Sequence, residues 1–253
     1  MTQIKVLSLG GGMQSTCMYL LSRDGKLPKY DYVIFADTGS EQDHTLDTVS
    51  WIQEDLEDSM DTDFITVRKE GLPLYQQYME DGRVPKVSDP RCTDKWKIRP
   101  IQKFIRSVVD EHLPKPWAEM HLGITCDEAH RQRESHVQYL ENKFPLIELG
   151  WTRNHCKAYL STEYPQLNVK KSGCWHCHYQ PKSEWAKLRR NDPEKFAIAL
   201  EMEQRAKANG VRMYGLWGGK TIEGFDNTHT LEDFGFDLGP GDFDCKTEGS
   251  CFL

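Results

Sequence analysis

The stretch Ile4-Lys5-Val6-Leu7-Ser8-Leu9-Gly10-Gly11-Gly12-Met13-Gln14-Ser15-Thr16 lies near the start of the chain and decides its fold. An apolar strand ends in three glycines and is followed at once by a run compatible with a helix, residues 13–22. Glycine allows a tight turn, and the new helix directs unpaired N–H groups and its positive dipole end at that turn. Ser15 and Thr16 add hydroxyl donors. The stretch therefore predicts an anion site, although an ordinary glycine-rich turn has the same composition.

The glycine spacing differs from that of two common phosphate-binding loops. It is not GxGxxG, which disfavours a dinucleotide fold, and it is not the GxxxxGK[ST] of a Walker loop. The anion site predicted at this turn therefore belongs to another class of loop.

Strand and helix patterns alternate along the first half of the chain. Strand patterns lie at residues 5–9, 31–36, 64–67 and 120–124. A helix with one apolar face follows Asp43, and residues 98–109 predict another. This alternation is typical of a parallel α/β sheet that binds ligands at the carboxyl ends of its strands. After about residue 135 the strand patterns stop, so we expect a Rossmann-like parallel sheet followed by a helical, cysteine-bearing half.

Charge is unevenly distributed along the chain. The net charge is −7, and residues 221–253 alone carry eight acidic and one basic side chain, so the remainder balances at 31 of each. Residues 83–106 hold eight basic and two acidic side chains, which suits an anionic ligand. Nucleic acid is not favoured as a partner, because a nucleic-acid-binding domain is usually basic overall.

No membrane or export signal is visible in the sequence. No apolar run reaches the roughly 18 residues that a bilayer-spanning helix needs, and the first residues lack a signal-peptide pattern. We therefore expect a cytoplasmic protein without a membrane partner.

Eight cysteines in such a chain predict ligands or reactive thiols rather than structural disulfides. Cys174 and Cys177 form a CxxC pair, spaced to bind one metal or cluster from a tight turn. A redox pair would open a helix directly after the first strand of its fold, and this pair lies far from it. Further thiolate ligands must come from Cys17, Cys92, Cys126, Cys156, Cys245 or Cys251. Composition leaves zinc and iron–sulfur open.

Four motifs carry a resemblance to a known family. They are residues 8–16, Val33-Ile34-Phe35-Ala36-Asp37-Thr38-Gly39, Cys92-Thr93-Asp94-Lys95-Trp96-Lys97-Ile98-Arg99-Pro100, and Gly123-Ile124-Thr125-Cys126-Asp127-Glu128 with Arg131 and Arg133. Together they resemble the PP-loop adenine-nucleotide superfamily, in its branch of phosphoadenosine phosphosulfate (sulfonucleotide) reductases and reductase-like proteins. The resemblance covers most of the chain and implies a sheet of the adenine nucleotide alpha hydrolase type.

The resemblance also implies a binding site for ATP, APS or PAPS. The phosphates would lie against Ser8, Gly10, Gly11, Gly12, Gln14, Ser15 and Thr16. Asp37 and Thr38 would flank the sugar or base, and the motif that begins at Gly123 would meet the anionic groups. The phosphosulfate would be neutralised by Lys95, Lys97, Arg131 and Arg133. We expect Asp127 and Glu128 to be salt-bridge partners of Arg131 and of lysines rather than catalytic groups.

The cysteine spacing is similar to that of the iron–sulfur members, which implies a [4Fe-4S] cluster, with zinc as the alternative. Those members have adjacent cysteines where this chain has Cys92-Thr93, so one ligand is missing. We expect Cys156 to replace it, giving a ligand set of Cys92, Cys156, Cys174 and Cys177. Cys17 and Cys126 are expected to be small buried residues.

The implied reaction is thiol-dependent reduction of a sulfonucleotide to sulfite. Cys251 in the tail would attack sulfur, Lys97 and Arg131 would assist, and a thioredoxin-like protein would release sulfite. The family's Glu-Cys-Gly-x-His pattern is not intact around Cys251, so the tail could also be a frayed acidic end. Gln14 stands where ATP-cleaving relatives carry an acid, which favours reduction.

Two other functions stay open. One is ATP-dependent sulfur transfer or thiolation of a nucleic acid or nucleobase, with a sulfur-donor protein as partner. The other is a non-catalytic nucleotide-binding protein with a structural metal site. In each case we expect a PP-loop α/β core over residues 1–135, a helical metal- or cluster-binding region over 136–220, and an acidic flexible tail over 221–253.

Overall fold

Five strands form one parallel sheet in the computed structural model. The structure describes residues 3–57, 61–85, 91–109, 112, 114–177, 180–211 and 221–226 of the chain. The strands are β1 (Ile4–Leu9), β2 (Tyr32–Asp37), β3 (Asp63–Arg68), β4 (Ala118–His121) and β5 (Leu140–Lys143). Their order is β3-β2-β1-β4-β5, and every pairing is parallel. The predicted Rossmann-like α/β class is therefore confirmed.

The far edge of the sheet differs from the sequence prediction. β4 begins at Ala118, two residues before the predicted strand of residues 120–124. β5 lies after residue 135, where no further strand was predicted. β5 is a four-residue edge strand, Leu140-Glu141-Asn142-Lys143, in which only Leu140 is buried. A short polar edge strand lacks the apolar alternation by which strands are recognised, because one of its sides has no neighbouring strand.

Helices cover the sheet and form the second half of the described chain. They are α1 (Met13–Arg23), α2 (Asp43–Leu56), α3 (Leu74–Asp81), α4 (Arg91–Thr93), α5 (Arg99–Val108), α6 (Pro145–Glu148), α7 (Arg153–Glu163), α8 (Lys182–Asn191), α9 (Pro193–Ala208) and α10 (Ile222–Asp226). A π-helical turn, Asp94–Ile98, joins α4 to α5, and a 3-10 helix, Cys126–Arg131, follows β4. None of these helices has the length and apolar character needed to cross a bilayer.

Successive side chains of β1 point to opposite faces of the sheet, and an apolar core lies on each face. Leu7 faces a core made with α1, α2 and α7, whereas Val6 faces a core made with α5. Both side chains are fully buried. A third core, centred on Trp185 and Phe196, joins α8 and α9 to Tyr75 of α3. The helical second half is thereby packed against the α3 side of the sheet domain.

The turn between β1 and α1 requires glycine at Gly11. Its φ of +66° lies in the left-handed region, and an added Cβ would lie 2.8 Å from Cγ2 of Thr45 and 2.9 Å from Cγ2 of Val49. Thr45 and Val49 both belong to α2, so side chains of this helix pack directly against the backbone of the turn. The glycine is required for conformation and for space together.

We expect Gly11→Ala to lower the free energy of unfolding by clearly more than Gly25→Ala, the matched control. Gly25 has a similar φ of +72°, but an added Cβ would meet none of the described atoms within 4 Å. Gly25→Ala should therefore lower the free energy of unfolding only through backbone strain, by about 1–2 kcal/mol. Gly11→Ala adds a steric clash with α2 to the same strain. Urea unfolding of both variants measures the difference. Equal losses would contradict the close packing at this turn.

Candidate functional site

The glycine-rich turn lies between two other segments of the chain. An added Cβ at Gly12 would lie 2.7 Å from Oγ of Ser172, and one at Gly123 would lie 2.9 Å from the backbone N of Ser15. The segment around Ser172 and the loop after β4 thus both approach the start of α1. The turn is enclosed at the carboxyl edge of the sheet, where α/β proteins bind ligands.

Hydrogen bonds fix the first residues of α1. Ser15 Oγ accepts from the Gly10 N–H (3.1 Å) and donates to the Gly12 carbonyl (3.2 Å), so this hydroxyl closes the turn. The Thr16 N–H makes the first helical bond, to the Gly12 carbonyl at 3.0 Å. The N–H groups that precede it are those that a helix start leaves for a ligand or water. The Thr16 hydroxyl is buried without a hydrogen-bond partner among the described residues.

Asp37 and Thr38, expected beside the sugar or base, are held by neighbouring side chains at the end of β2. Asp37 accepts from the Gly39 N–H (2.7 Å) and from Arg68 Nε (2.7 Å). Thr38 donates its N–H and its hydroxyl to the carboxylate of Glu41 at 2.9–3.1 Å. Arg68 and Glu41 were missed by the sequence reasoning. For Glu41 a signal existed, because Thr38-Gly39-Ser40-Glu41 has the S/T-x-x-E spacing of a capping box.

Glu41 is a buried acid at the centre of this region. Besides Thr38, its carboxylate accepts from the Ser40 N–H at 3.2 Å and lies 3.9 Å from Nζ of Lys97. Burial raises the pKa of Glu41, while Lys97 and the bonds from Thr38 act in the opposite direction. Lys97 comes from the π-helical turn, a type of turn that is frequent at functional sites. The sequence-predicted Lys97 is therefore brought to the end of β2.

Cys174 is fastened to the same strand end by the backbone. Cys174 pairs with Glu41 in an isolated antiparallel β-bridge. On either side of Cys174, the Trp175 N–H donates to the Ser40 carbonyl (3.0 Å), and the Gly173 carbonyl accepts from the Gln42 N–H (2.9 Å). The Cys174 sulfur lies 3.7 Å from the Thr38 hydroxyl. Burial, and next the charge of Glu41, raise the pKa of this thiol.

Cys92 and Cys177 lie in the neighbourhood of Cys174. Burial, followed by the charge of Cys177, raises the pKa of Cys92, and Cys177 also raises the pKa of Cys174. Lys97 offsets part of this rise in the pKa of both Cys92 and Cys174, so one positive group lies near the three thiols, which we call the thiol cluster: Cys92, Cys174 and Cys177. Three of the four predicted ligands thus lie close enough for their charges to influence one another's pKa. Within the described ranges, however, no three His, Cys, Asp or Glu side chains are spaced to hold one metal ion.

The structure does not bring Cys156, the fourth predicted ligand, to the thiol cluster. Its side chain is fully buried between α7 and α1, where it lies beside Cys17. The neighbouring Cys156 thiol, followed by burial, raises the pKa of Cys17. Cys156 and Leu160 are four residues apart on the buried face of α7, so its position follows from helical periodicity. Cys245 and Cys251, the predicted nucleophile, lie outside the described residues.

Glu128 connects the glycine-rich turn to two arginines. It is 5% exposed, and its carboxylate accepts from Nε2 of Gln14 (2.9 Å), from Nη2 of Arg153 (2.6 Å) and from Nη1 of Arg131. The expected pairing of Glu128 with Arg131 is confirmed. Arg153 was missed, because nothing in the spacing of the sequence links the start of α7 to residue 128.

Arg133 and Ser8 are placed away from these groups. Nη1 of Arg133 donates to the carbonyls of His130 and Gln132 in its own exposed loop. Ser8 lines a small cleft of about 60 Å³ on the α5 face of the sheet, together with Gln102, His136 and Asn142. Lys95 is exposed in the π-helical turn. The predicted residues are therefore not gathered around a single point.

Comparisons with known proteins give likenesses of fold. No family model matches the chain, and no curated protein matches it. It is similar to the phosphoadenylyl-sulfate (PAPS) reductase from Candida auris, solved as a phosphate complex, with 14% identity, 69% of this chain and 83% of that chain covered, and a TM-score of 0.47. It is also similar to the U34-tRNA thiolase NcsA from Methanococcus maripaludis with its [4Fe-4S] cluster, with 14% identity, coverage of 84% and 73%, and a TM-score of 0.41. Because both TM-scores are below 0.5, the assignment of this chain to the α/β class is based on its own strand order and parallel pairing.

Proposed function

We propose that this chain binds an adenine nucleotide with its phosphates at residues 10–16 and carries out thiol-dependent chemistry at sulfur. The observation that carries the proposal is the course of residues 172–174. Ser172 lies against Gly12, and two residues later Cys174 lies 3.7 Å from the Thr38 hydroxyl. One short segment therefore joins the glycine-rich turn to the thiol cluster at the carboxyl edge of the sheet.

The charges around the turn suit an anionic nucleotide. The first N–H groups of α1 and its positive dipole end face the turn. Lys97, which lies 3.9 Å from Glu41 after β2, and Arg131, which is connected through Glu128 to Gln14 of α1, add formal positive charge to this region. A phosphosulfate carries negative charge on both of its tetrahedral groups, so these two residues would help to neutralise it.

The reaction that we favour is the reduction of a sulfonucleotide to sulfite. The Cys251 thiolate attacks the sulfur of the phosphosulfate, an S–S bond forms, and the S–O bond to phosphate breaks, releasing the nucleoside phosphate. A dithiol donor of the thioredoxin class then reduces the S–S bond. It supplies two electrons and two protons, becomes a disulfide, and releases sulfite with the Cys251 thiol restored.

The acids near the turn favour this reaction over metal-assisted cleavage of ATP. Asp37 is paired with Arg68, and Glu128 is paired with both Arg131 and Arg153. Magnesium is held through carboxylates that are free to coordinate it, whereas these are compensated by guanidinium groups. Gln14 supplies a neutral amide at the position where ATP-cleaving relatives carry an acid.

The predicted cluster or zinc site is incomplete among the described residues. Cys92, Cys174 and Cys177 offer thiolates, which suit zinc and iron–sulfur equally, but their spacing is not that of a metal site and Cys156 lies elsewhere. No step of the reaction above depends on a metal. The ligand set is therefore a separate question with its own experiment.

We expect the chain to release sulfite from PAPS or APS in the presence of a dithiol, and Cys251→Ser to abolish this release. The variant should still bind nucleotide, because residues 10–16 are unchanged. Sulfite and pyrophosphate are measured after incubation with ATP, APS or PAPS, and Cys245→Ser is the matched control from the same tail. Pyrophosphate release with ATP would instead support sulfur transfer, and neither product would support a non-catalytic protein.

We expect Cys174→Ala to lose any bound iron or zinc and Cys156→Ala to retain it. Cys174 belongs to the thiol cluster, whereas Cys156 is buried against Cys17. Metal and acid-labile sulfide per chain are measured after anaerobic purification, with circular dichroism to establish that both variants are folded. A folded Cys156→Ala that has lost its metal would restore the original four-cysteine set, and one zinc per colourless chain would identify the metal as zinc.

A further inference from the structure

Four side chains meet at the starts of α1 and α7 and form what we call the Glu128 cluster: Glu128, Gln14, Arg131 and Arg153. Gln14 is the second residue of α1, and Arg153 is the first residue of α7. Glu128 lies between them and accepts hydrogen bonds from all three partners. The cluster therefore ties together three segments that are far apart in the sequence.

The backbone fixes this arrangement from both sides. The Arg153 N–H donates to Oδ1 of Asp127 at 3.2 Å, and the Cys126 N–H donates to the Trp151 carbonyl at 2.8 Å. On the other side, Gly123 lies so close that an added Cβ would be 3.2 Å from the Gln14 carbonyl carbon. The starts of two 11-residue helices thus converge on one point, and their positive dipole ends add to the charge there.

The four side chains of the cluster carry one negative and two positive charges, and the Asp127 carboxylate lies beside them at the start of α7. One carboxylate faces two guanidinium groups, and its acceptor oxygens lie beneath them, since the side chain of Glu128 is 6% exposed while that of Arg153 is 34% exposed. A guanidinium group has five N–H donors in a fixed plane. For Arg153 one of these donors, Nε, is buried and has no hydrogen-bond partner among the described residues. A buried donor left in this state is costly. An oxyanion would meet the exposed part of the Arg153 side chain rather than Nε itself, and a charge-assisted hydrogen bond to a guanidinium group is among the strong ones.

We propose that Arg153 is an anion-binding residue of the nucleotide site and that Glu128 is the positioning residue that holds Arg153, Arg131 and Gln14 in place. The ligand is the terminal phosphate or sulfate group of the nucleotide, a multiply charged tetrahedral oxyanion. Arg153 takes the role that the sequence assigned to Arg133, whose guanidinium group bonds to its own loop. This inference rests on the proposed nucleotide site.

Arg153→Gln tests the anion-binding role. We expect it to raise the Kd for inorganic pyrophosphate and for ATP by about tenfold to a hundredfold, the loss typical of a charge-assisted hydrogen bond. Calorimetry at low salt measures pyrophosphate, ATP and adenosine in turn. The Kd for adenosine should not change, because adenosine carries no phosphate, and Arg153→Lys should recover part of the affinity.

Arg205→Gln is the matched control for loss of a positive charge. Arg205 lies in the last turn of α9, where it is exposed and paired with Glu201. We expect its Kd values to equal those of the wild type. If Arg153→Gln binds pyrophosphate and ATP as tightly as Arg205→Gln does, the role of Arg153 is refuted while the nucleotide site stands. A wild-type chain that binds neither probe would instead refute the nucleotide site.

Glu128→Gln tests the positioning role through the sign of its effect. Removing a negative charge beside an anion site would by itself tighten binding of pyrophosphate, whereas releasing Arg131 and Arg153 from their fixed positions would weaken it. We expect weaker binding, by about tenfold, with adenosine binding unchanged. Glu201→Gln removes the same charge from an exposed pair and is the control.

Glu128→Asp keeps the charge but shortens the reach of the carboxylate. We expect it to weaken pyrophosphate binding as well, so that a variant with unchanged net charge reports on geometry alone. Thermal unfolding of each variant establishes that the affinities are compared between folded proteins. Tighter binding by Glu128→Gln, or unchanged binding by a folded Glu128→Asp, would overturn the positioning role.

Discussion

The close approach of other segments to the turn between β1 and α1 is the constraint on which the rest of the structure depends. Gly11 leaves room for α2, and Gly12 leaves room for Ser172. Each contact would be lost to a Cβ atom, so the lack of side chains decides which segments can meet there. Because the turn has no side chains at Gly10, Gly11 and Gly12, other segments can pack directly against its backbone. The Glu128 cluster and the segment that leads to the thiol cluster both approach it.

Two buried acids hold the surrounding segments at fixed distances from the turn. Glu41 binds the backbone after β2 and faces Lys97, whereas Glu128 binds the start of α1 and two arginines. Burial of an unpaired carboxylate is expensive, so each acid is stable only with its complete set of donors. The two acids therefore specify the local arrangement more than they add to stability.

The fold could be predicted from the sequence to the extent that its periodicities are strong. The apolar run of β1, the one-sided apolar pattern of α2 and the parallel class were all visible. β5 was missed because Leu140-Glu141-Asn142-Lys143 is short and polar. At the site, Cys156 was assigned to the ligand set on its residue type, whereas its four-residue spacing from Leu160 is that of the buried face of α7. The contact of Glu128 with Arg153 joins residues 25 positions apart, with β5 and α6 between them, and no local sequence pattern encodes such a contact.

The segment from Ser172 to Cys174 touches the glycine-rich turn at one end and the strand end that carries the thiol cluster at the other. Two residues separate these contacts, and the backbone is hydrogen-bonded to Ser40 and Gln42 on both sides of Cys174. Ligand binding at one end and oxidation of a thiol at the other would therefore both act on the same three residues, 172–174. Thermodynamic linkage makes that influence reciprocal: whatever factor a bound anion applies to the redox equilibrium of the thiols, the thiols apply to the affinity for the anion.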